Sequence, residues 1–343
     1  MRQAFTLDHE QPWADRAPLW LPEGHTQTIW ATKVAQSRPL ISLAPAWQRQ
    51  RWSTPDGDFV DVDSQWRQPD RPQVILFHGL EGSSASHYAH AWAYVCSELD
   101  LTLRVIHFRG CSGEPNLAPR AYHSGDAEEM RWMLTRARDE AEQVPLFAVG
   151  YSLGGNVLVK WLGEKHGGQD SVGLAAAAAI SAPLDLRAAG EAIEQGLNRW
   201  LYTPMFLSTM RKKAALKWRQ YPNLFDLEAT QRATTLREFD DCFTAPLHGY
   251  ADVDDYWARA SARPGLANVE TPLLIINAKN DPFVPWESVN KAVRPAPAVR
   301  FWHPENGGHA GFSQHSPRNR VGNLWSFPLL IANWFLSQNA AYG

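Results

Sequence analysis

Apolar residues in this chain fall into short unbroken runs. Val74 to Phe77, Leu103 to Phe108, Leu146 to Val149, Leu174 to Ile180, Leu273 to Asn277 and Val299 to Trp302 are apolar or small at nearly every position, with helix-length stretches between most of them. A strand that faced water on one side would alternate, so these runs predict strands buried on both faces, in a parallel sheet with helices packed on each side. One run contains Ala175 to Ala179, and alanine by itself favours helix. It continues into Ile180 and then Ser-Ala-Pro, and we read it as a tightly packed strand. Upstream, Trp47 to Ser53 and Phe59 to Ser64 flank Thr54-Pro55-Asp56-Gly57-Asp58. Proline presets φ and glycine is free to take φ > 0, so this segment predicts a hairpin.

The rhythm breaks once. Between Pro183 and about Pro264 there is no buried run, only amphipathic helical sequence carrying Trp200, Leu201, Met205, Phe206, Met210 and Trp218. The expected organisation is therefore an α/β core formed by residues 1–182 and 265–343, with a helical cap, residues 183–264, inserted after the sixth strand. Residues 1–45, Pro- and Trp-rich and irregular, are expected to wrap the core, and Leu324 to Leu336 to form the closing helix.

Composition narrows the class. A chain of 343 residues with 44% hydrophobic and 20% charged residues is long enough for one well-packed core plus an insertion. Sixteen tryptophans point to an aromatic core, some of it able to line an apolar pocket. A net charge of -3 is no nucleic-acid signature, and the basic stretch Arg211, Lys212, Lys213, Lys217, Arg219 reads as a solvated helix face, with contact to acidic lipid the alternative. Cys96, Cys111 and Cys242 form no CxxC, so neither a disulfide framework nor a zinc site is expected. His87 and His90 have helical spacing but no accompanying ligand cluster, and predict a surface helix rather than a metal site. There is no phosphate-binding G-x-x-x-x-G-K-[ST] and no G-x-G-x-x-G after a strand. Met1 to Glu10 has no signal-peptide pattern, and no apolar run reaches the ~18 residues of a membrane span. The expectation is a cytoplasmic protein with no transmembrane segment, metal or cofactor.

The chemistry-bearing residues sit just beyond the predicted strands. Gly150-Tyr151-Ser152-Leu153-Gly154 matches G-x-S-x-G between a strand and the helix-like Asn156 to Leu162. A serine hydroxyl is a poor nucleophile unless it is exposed beside a base, and a sharp strand-to-helix turn exposes it. His78-Gly79-Leu80-Glu81-Gly82 follows another strand and can supply a backbone N–H to an oxyanion, which assigns Leu80 and Leu153 as amide donors. Asp281 lies past the strand ending at Asn277, and His309 past the strand ending at Trp302, giving the order Ser, acid, His. Asp252, Asp254 and Asp255 compete for the acid but belong to the cap, and His303 competes for the base but ends a strand. Arg109 could meet an anionic group, although a structural ion pair explains it as well. Nothing marks Cys111 as reactive, and Tyr122 to Asp126 reads as a helix N-cap. In the cap, Trp200, Met205, Phe206 and Met210 recur at helix-like spacing. Such a stripe is either core or pocket lining, with Phe206 and Met210 the candidates for the pocket.

HGLEGSS, FRGCSG, YHSG, GYSLGGN, FDDCFTAPLHGY and NGGHAGF, with GHTQTIW at residues 24 to 30, resemble the YheT-type α/β-hydrolases, bacterial proteins assigned as esterases and similar to animal abhydrolase-domain lipases. The resemblance runs from about residue 18 to 335. It implies the α/β-hydrolase fold, a Ser152–Asp281–His309 triad, action on a small-molecule carboxylic ester through an acyl-enzyme, and no cofactor. The animal members' N-terminal membrane anchor has no counterpart here, so their lipid substrates are not carried over. Transfer of the acyl group to an acceptor other than water would use the same residues. A non-enzymatic binding module on the same fold is the remaining alternative, and the complete triad argues against it.

Overall fold

The computed structural model describes residues 17–35, 46–65, 70–141, 143–164, 172–290, 294–316 and 319–339. Its core is an eight-stranded sheet: β1 (Gln48–Ser53), β2 (Phe59–Gln65), β3 (Gln73–Phe77), β4 (Thr102–Ile106), β5 (Leu146–Tyr151), β6 (Ala176–Ile180), β7 (Leu273–Ile276) and β8 (Val299–Trp302). The spatial order is β1-β2-β4-β3-β5-β6-β7-β8. The β1–β2 hairpin joins antiparallel to β4, and every pairing from β4 to β8 is parallel. The six apolar runs are thus the six parallel strands. A further two-stranded hairpin, β9 (Gln314–Ser316) and β10 (Asn319–Asn323), was not legible in the pattern.

Helices cover both faces. On one side lie α3 (Ala127–Ala141) and α4 (Leu153–Gly163), and on the other α2 (His87–Glu98) and α12 (Ser326–Asn339). The alanine run is explained by this sandwich: Ala176 to Ala179 are fully buried, with alternate residues in the two core clusters, so small side chains let helices close in from both sides. The surface-helix reading of His87 and His90 is corrected here. Helix α2 packs Ala89, Trp92, Ala93 and Cys96 into the core, and His87 is itself buried.

Between β6 and β7 the chain is helical: α5 (Leu186–Ile193), α6 (Gly196–Leu201), α7 (Thr203–Gln220), α8 (Leu227–Arg232), α9 (Leu236–Phe239) and α10 (Val253–Ala260), with short turns between them. Helix α11 (Trp286–Asn290) follows β7. Of the segment expected to wrap the core, residues 1–16 and 36–45 lie outside the described residues. In the remainder, α1 (Gly24–Ile29) and a following π-turn place Trp30, Ala31 and Ala35 against Ala91 of α2 and Leu324. Among the described residues no helix is long and apolar enough to cross a membrane, and no cluster of three His, Cys, Asp or Glu side chains could hold a metal ion.

Candidate active site

Topology decides where the site lies. From β3 the chain goes to β4 on one side, and then returns to β5 on the other, so the carboxyl ends of β3 and β5 flank the point where connections diverge. Such a point leaves a crevice above the sheet. Phe77 and Gly150 are paired across these strands, so the loops beginning at His78 and Ser152 emerge side by side. Strands β7 and β8 leave Asp281 and His309 on the same edge.

Ser152 occupies the elbow between β5 and α4 with φ 51° and ψ -120°, a conformation that side-chain-bearing residues rarely adopt. Its neighbours force the sharpness of the turn. A Cβ on Gly150 would lie 2.5 Å from the Gly154 carbonyl oxygen, and one on Gly154 would lie 2.5 Å from the His78 carbonyl oxygen. The half-buried hydroxyl sits 2.9 Å from His309 Nε2. His309 Nδ1 is 3.0 Å from Asp281 Oδ2 and 3.1 Å from Oδ1, and Oδ1 also accepts the amides of Phe283 (2.8 Å) and Val284 (3.1 Å). With Nδ1–H donating to the carboxylate, Nε2 is left to accept the serine proton.

The histidine loop is held from three directions. The His309 amide donates to Thr28 Oγ1 (2.9 Å), the Ala310 amide to Ser181 Oγ (3.1 Å), and the Ala310 carbonyl accepts from His87 Nε2 (2.7 Å). Burial pushes the His87 pKa down to about 4, so its ring is neutral at physiological pH and serves as a donor to that carbonyl. Phe283 packs on the His309 ring, with centroids 4.5 Å apart.

His78, singled out in the sequence only as the start of a glycine-rich loop, orients a peptide. Its Nδ1 lies 2.7 Å from the Gly79 carbonyl oxygen, which also accepts the Gly82 amide at 3.0 Å, while Nε2 accepts the Phe108 amide at 3.1 Å. Burial lowers its pKa to about 3, so the ring is neutral and Nδ1 carries the proton. In a trans peptide, C=O and N–H point in opposite directions. Fixing the Gly79 carbonyl toward His78 therefore aims the Leu80 N–H the other way. The Leu153 N–H belongs to the first turn of α4, where no preceding helical carbonyl can accept it. The loop is further pinned at Glu81, whose amide donates to Tyr122 Oη (2.9 Å) and whose carboxylate accepts from Tyr122 Oη (2.7 Å) and Lys213 Nζ (2.8 Å). Tyr122, read from sequence as part of an N-cap, has this second job. The N-cap contact falls to Asp126, whose Oδ1 accepts the Glu129 amide.

Ser152 and His309 open into a cavity of about 150 Å³ lined chiefly by apolar side chains, among them Leu186, Ile193, Phe206, Met210 and Trp257. Trp200 and Met205 are corrected: they are 80% and 42% exposed and do not reach it. A second cavity of about 350 Å³ shares Leu80, Tyr122 and Met210 with the first but does not include Ser152. Arg109 lies beside it, occupied by ion pairs to Asp56, Asp58 and Glu129. Cys111 also lines it, and burial raises that thiol to about 11, keeping it protonated. The competitors are engaged elsewhere. His303 Nδ1 donates to the Asn277 carbonyl at 3.0 Å, Asp252 caps α10, and Asp254 and Asp255 pair with arginines.

Residues 72–316 match the α/β-hydrolase fold family model. The chain belongs to that family. Its relatives include proteins named as an esterase, phospholipases and a monoacylglycerol lipase. The chain is 41% identical over 283 residues to the protein named "Putative esterase YheT" of Escherichia coli (strain K12), covering 80% of this chain and 81% of that one. It is 31% identical over 306 residues to Phospholipase ABHD3 of Homo sapiens, covering 86% and 72% respectively. Among solved structures, the esterase Pf2001 of Pyrococcus furiosus superposes with a TM-score of 0.54 at 15% identity over 88% of this α/β-hydrolase and 93% of that chain, a likeness of fold.

Proposed function

We propose that this α/β-hydrolase cleaves carboxylic esters of small or medium apolar acyl groups through an acyl-enzyme. Ser152 is the nucleophile, His309 the general base, Asp281 the orienting carboxylate, Leu80 and Leu153 the oxyanion donors, and residues 183–264 the cap over the acyl pocket. The observation that carries this reading is the unbroken hydrogen-bonded line Ser152–His309–Asp281 at the mouth of an apolar cavity. A cavity of ~150 Å³ holds a group about the size of benzene.

In the first half-reaction, Ser152 Oγ bonds to the ester carbonyl carbon while its proton passes to His309 Nε2. The negative charge gathers on the former carbonyl oxygen, between the Leu80 and Leu153 amides. Each such donor contributes about 10²–10³ in rate, because the dipoles are already in place when the charge forms. The tetrahedral adduct expels the alcohol, which leaves with the proton from His309, and the acyl group remains esterified to Ser152. Water then attacks with the same base, releases the acid and restores the hydroxyl. The Asp281 carboxylate stabilises the transient imidazolium.

The test is a panel of soluble esters together with a fluorophosphonate that labels activated serines. Ser152→Ala should remove labelling and lower turnover by several orders of magnitude in a folded protein, and His309→Gln should do likewise while His303→Gln remains active. Retained turnover in a folded Ser152→Ala protein would refute the mechanism.

A further inference from the structure

Helix α1 belongs to neither the sheet nor the cavity wall, yet it is bonded to both of the loops that carry Asp281 and His309. Gln27 is 0% exposed, and a buried amide must find partners for its donors and its acceptor. Its Oε1 accepts the Gly307 amide at 2.7 Å and Asn280 Nδ2 at 3.2 Å. Its Nε2 donates to the Leu21 carbonyl at 3.0 Å and to Asn306 Oδ1 at 3.3 Å. One side chain thus touches the residue before Asp281 and the residue two before His309. The bracket is closed by Asn280 Oδ1, which accepts the Gly308 amide at 2.9 Å. Next to it, Thr28 Oγ1 donates to the Gly24 carbonyl (2.7 Å) and accepts the amide of His309 itself (2.9 Å).

Sterics show how close this approach is. A Cβ on Gly24 would fall 1.8 Å from the Asn280 carbonyl oxygen, one on Gly308 2.7 Å from Thr28 Oγ1, and one on Gly311 2.7 Å from the Gln27 carbonyl oxygen. Three glycines therefore let α1 lie directly against the two loops. Neither Gln27 nor Thr28 lines the cavity that holds Ser152.

We propose that Gln27 and Thr28 of the Gly24-His25-Thr26-Gln27-Thr28 motif are positioning residues that set the separation of Asp281 and His309, so that the imidazole stays within reach of both Ser152 and the carboxylate. This rests on the triad reading above. Hydrogen bonds from α1 fix the loops relative to each other as well as to the sheet, and a displacement of about 1 Å in a catalytic group lowers rate by about a hundredfold.

The experiment compares Thr28→Val, which keeps shape and removes the acceptor, with Thr28→Ser, which restores the hydroxyl. Asn280→Ala serves as an independent variant that opens the bracket at a half-buried position, and Ser152→Ala as the reference. Readouts are kcat and KM for a short-chain nitrophenyl ester, the rate of fluorophosphonate labelling, and Tm. The expected result is a fall of about ten- to a hundredfold in kcat and in labelling rate for Thr28→Val and Asn280→Ala, with KM within about twofold, and wild-type behaviour for Thr28→Ser. Wild-type kcat in Asn280→Ala, or in a folded Thr28→Val whose Tm alone has dropped, would overturn the proposal and make α1 a structural brace. Turnover surviving in Ser152→Ala would instead overturn the triad reading, and this proposal with it.

Discussion

A Cβ placed on Gly79 would lie 3.1 Å from the Cβ of Ser152 and 3.7 Å from its Oγ. The loop proposed to bind the oxyanion and the elbow proposed to carry the nucleophile thus meet at a point with no spare room for a methyl group. Gly79 is not among the positive-φ residues, so it is closeness, not backbone freedom, that calls for glycine here. Gly79→Ala should force the two loops apart by a few tenths of an ångström. Because the Leu80 N–H moves with Gly79, kcat/KM is expected to fall by about tenfold or more while Tm shifts by only a few degrees. An alanine variant with wild-type kcat/KM would mean that the Leu80 amide is not a donor in the transition state.

The elbow makes a second prediction about stability. At φ 51° and ψ -120°, Ser152 sits where a Cβ is strained by about 1–3 kcal/mol. Ser152→Ala keeps the strain and Ser152→Gly relieves it, although glycine gives back about 0.5–1 kcal/mol through the greater freedom of the unfolded chain. Both variants should lack turnover, with the glycine variant the more stable by about 1 kcal/mol in urea unfolding. Equal stabilities would show that the surrounding packing has relaxed the turn.

What could be read from the sequence, and what could not, follows from the range of the interactions involved. The six parallel strands were legible because a strand buried on both faces writes an unbroken apolar run into consecutive residues. The meeting of Ser152, Asp281 and His309 in one hydrogen-bonded line was legible because each follows such a run in a fixed order. Gln27 and Thr28 were not legible as site residues, since their partners lie more than 250 positions away and no local periodicity encodes them. Helix α2 was misread because two histidines suggested a wet face, whereas small alanines let the helix bury most of its circumference. The cap stripe was read too long. Trp200 belongs to α6, a separate helix, and Met205, although on α7, is one residue from Phe206 and five from Met210, so at about 100° per residue it falls outside the face that the i,i+4 pair Phe206 and Met210 share.

Asp58 provides a test of acid stability. It is buried and accepts Asn116 Nδ2 (2.8 Å), Arg109 Nη1 (2.7 Å) and the amides of Leu117 (2.7 Å) and Ala118 (3.0 Å). Burial pushes its carboxyl upward, but these donors outweigh burial and bring it down to about 2. An aspartate in the unfolded chain titrates near 3.9. The folded state therefore holds its negative charge more tightly, and the contribution to stability is complete above pH ~4 and lost as pH falls toward about 2. Asp58→Asn has no charge to lose and puts an NH₂ among donors. It should be less stable than wild type at neutral pH, and the gap should narrow between pH ~4 and ~2. Urea midpoints for both proteins across that range check this; a constant gap would mean that Asp58 is not depressed.

The pocket prediction rests on two side chains of α7. Phe206 meets Phe283 edge-on, with centroids 6.3 Å apart and planes at 75°, and Met210 lines the same cavity. If these two bound the acyl pocket, Phe206→Ala with Met210→Ala lengthens it, and the preferred acyl chain lengthens too. Each added methylene buried is worth ~0.8 kcal/mol, so kcat/KM for chains a few carbons longer should rise relative to short ones by about tenfold or more. Both side chains are partly buried, so the stability loss should stay below the 3–5 kcal/mol typical of a fully buried phenylalanine. The measurement is kcat/KM for wild type and double variant across a straight-chain nitrophenyl ester series, with Tm as control. A second cause must be separated from the first, because Phe283 also packs on the His309 ring and loosening it disturbs the base. That effect lowers kcat/KM equally for every chain length, whereas a longer pocket tilts the series. A parallel loss at all lengths would assign Phe206 to support of His309 and remove it from the acyl pocket.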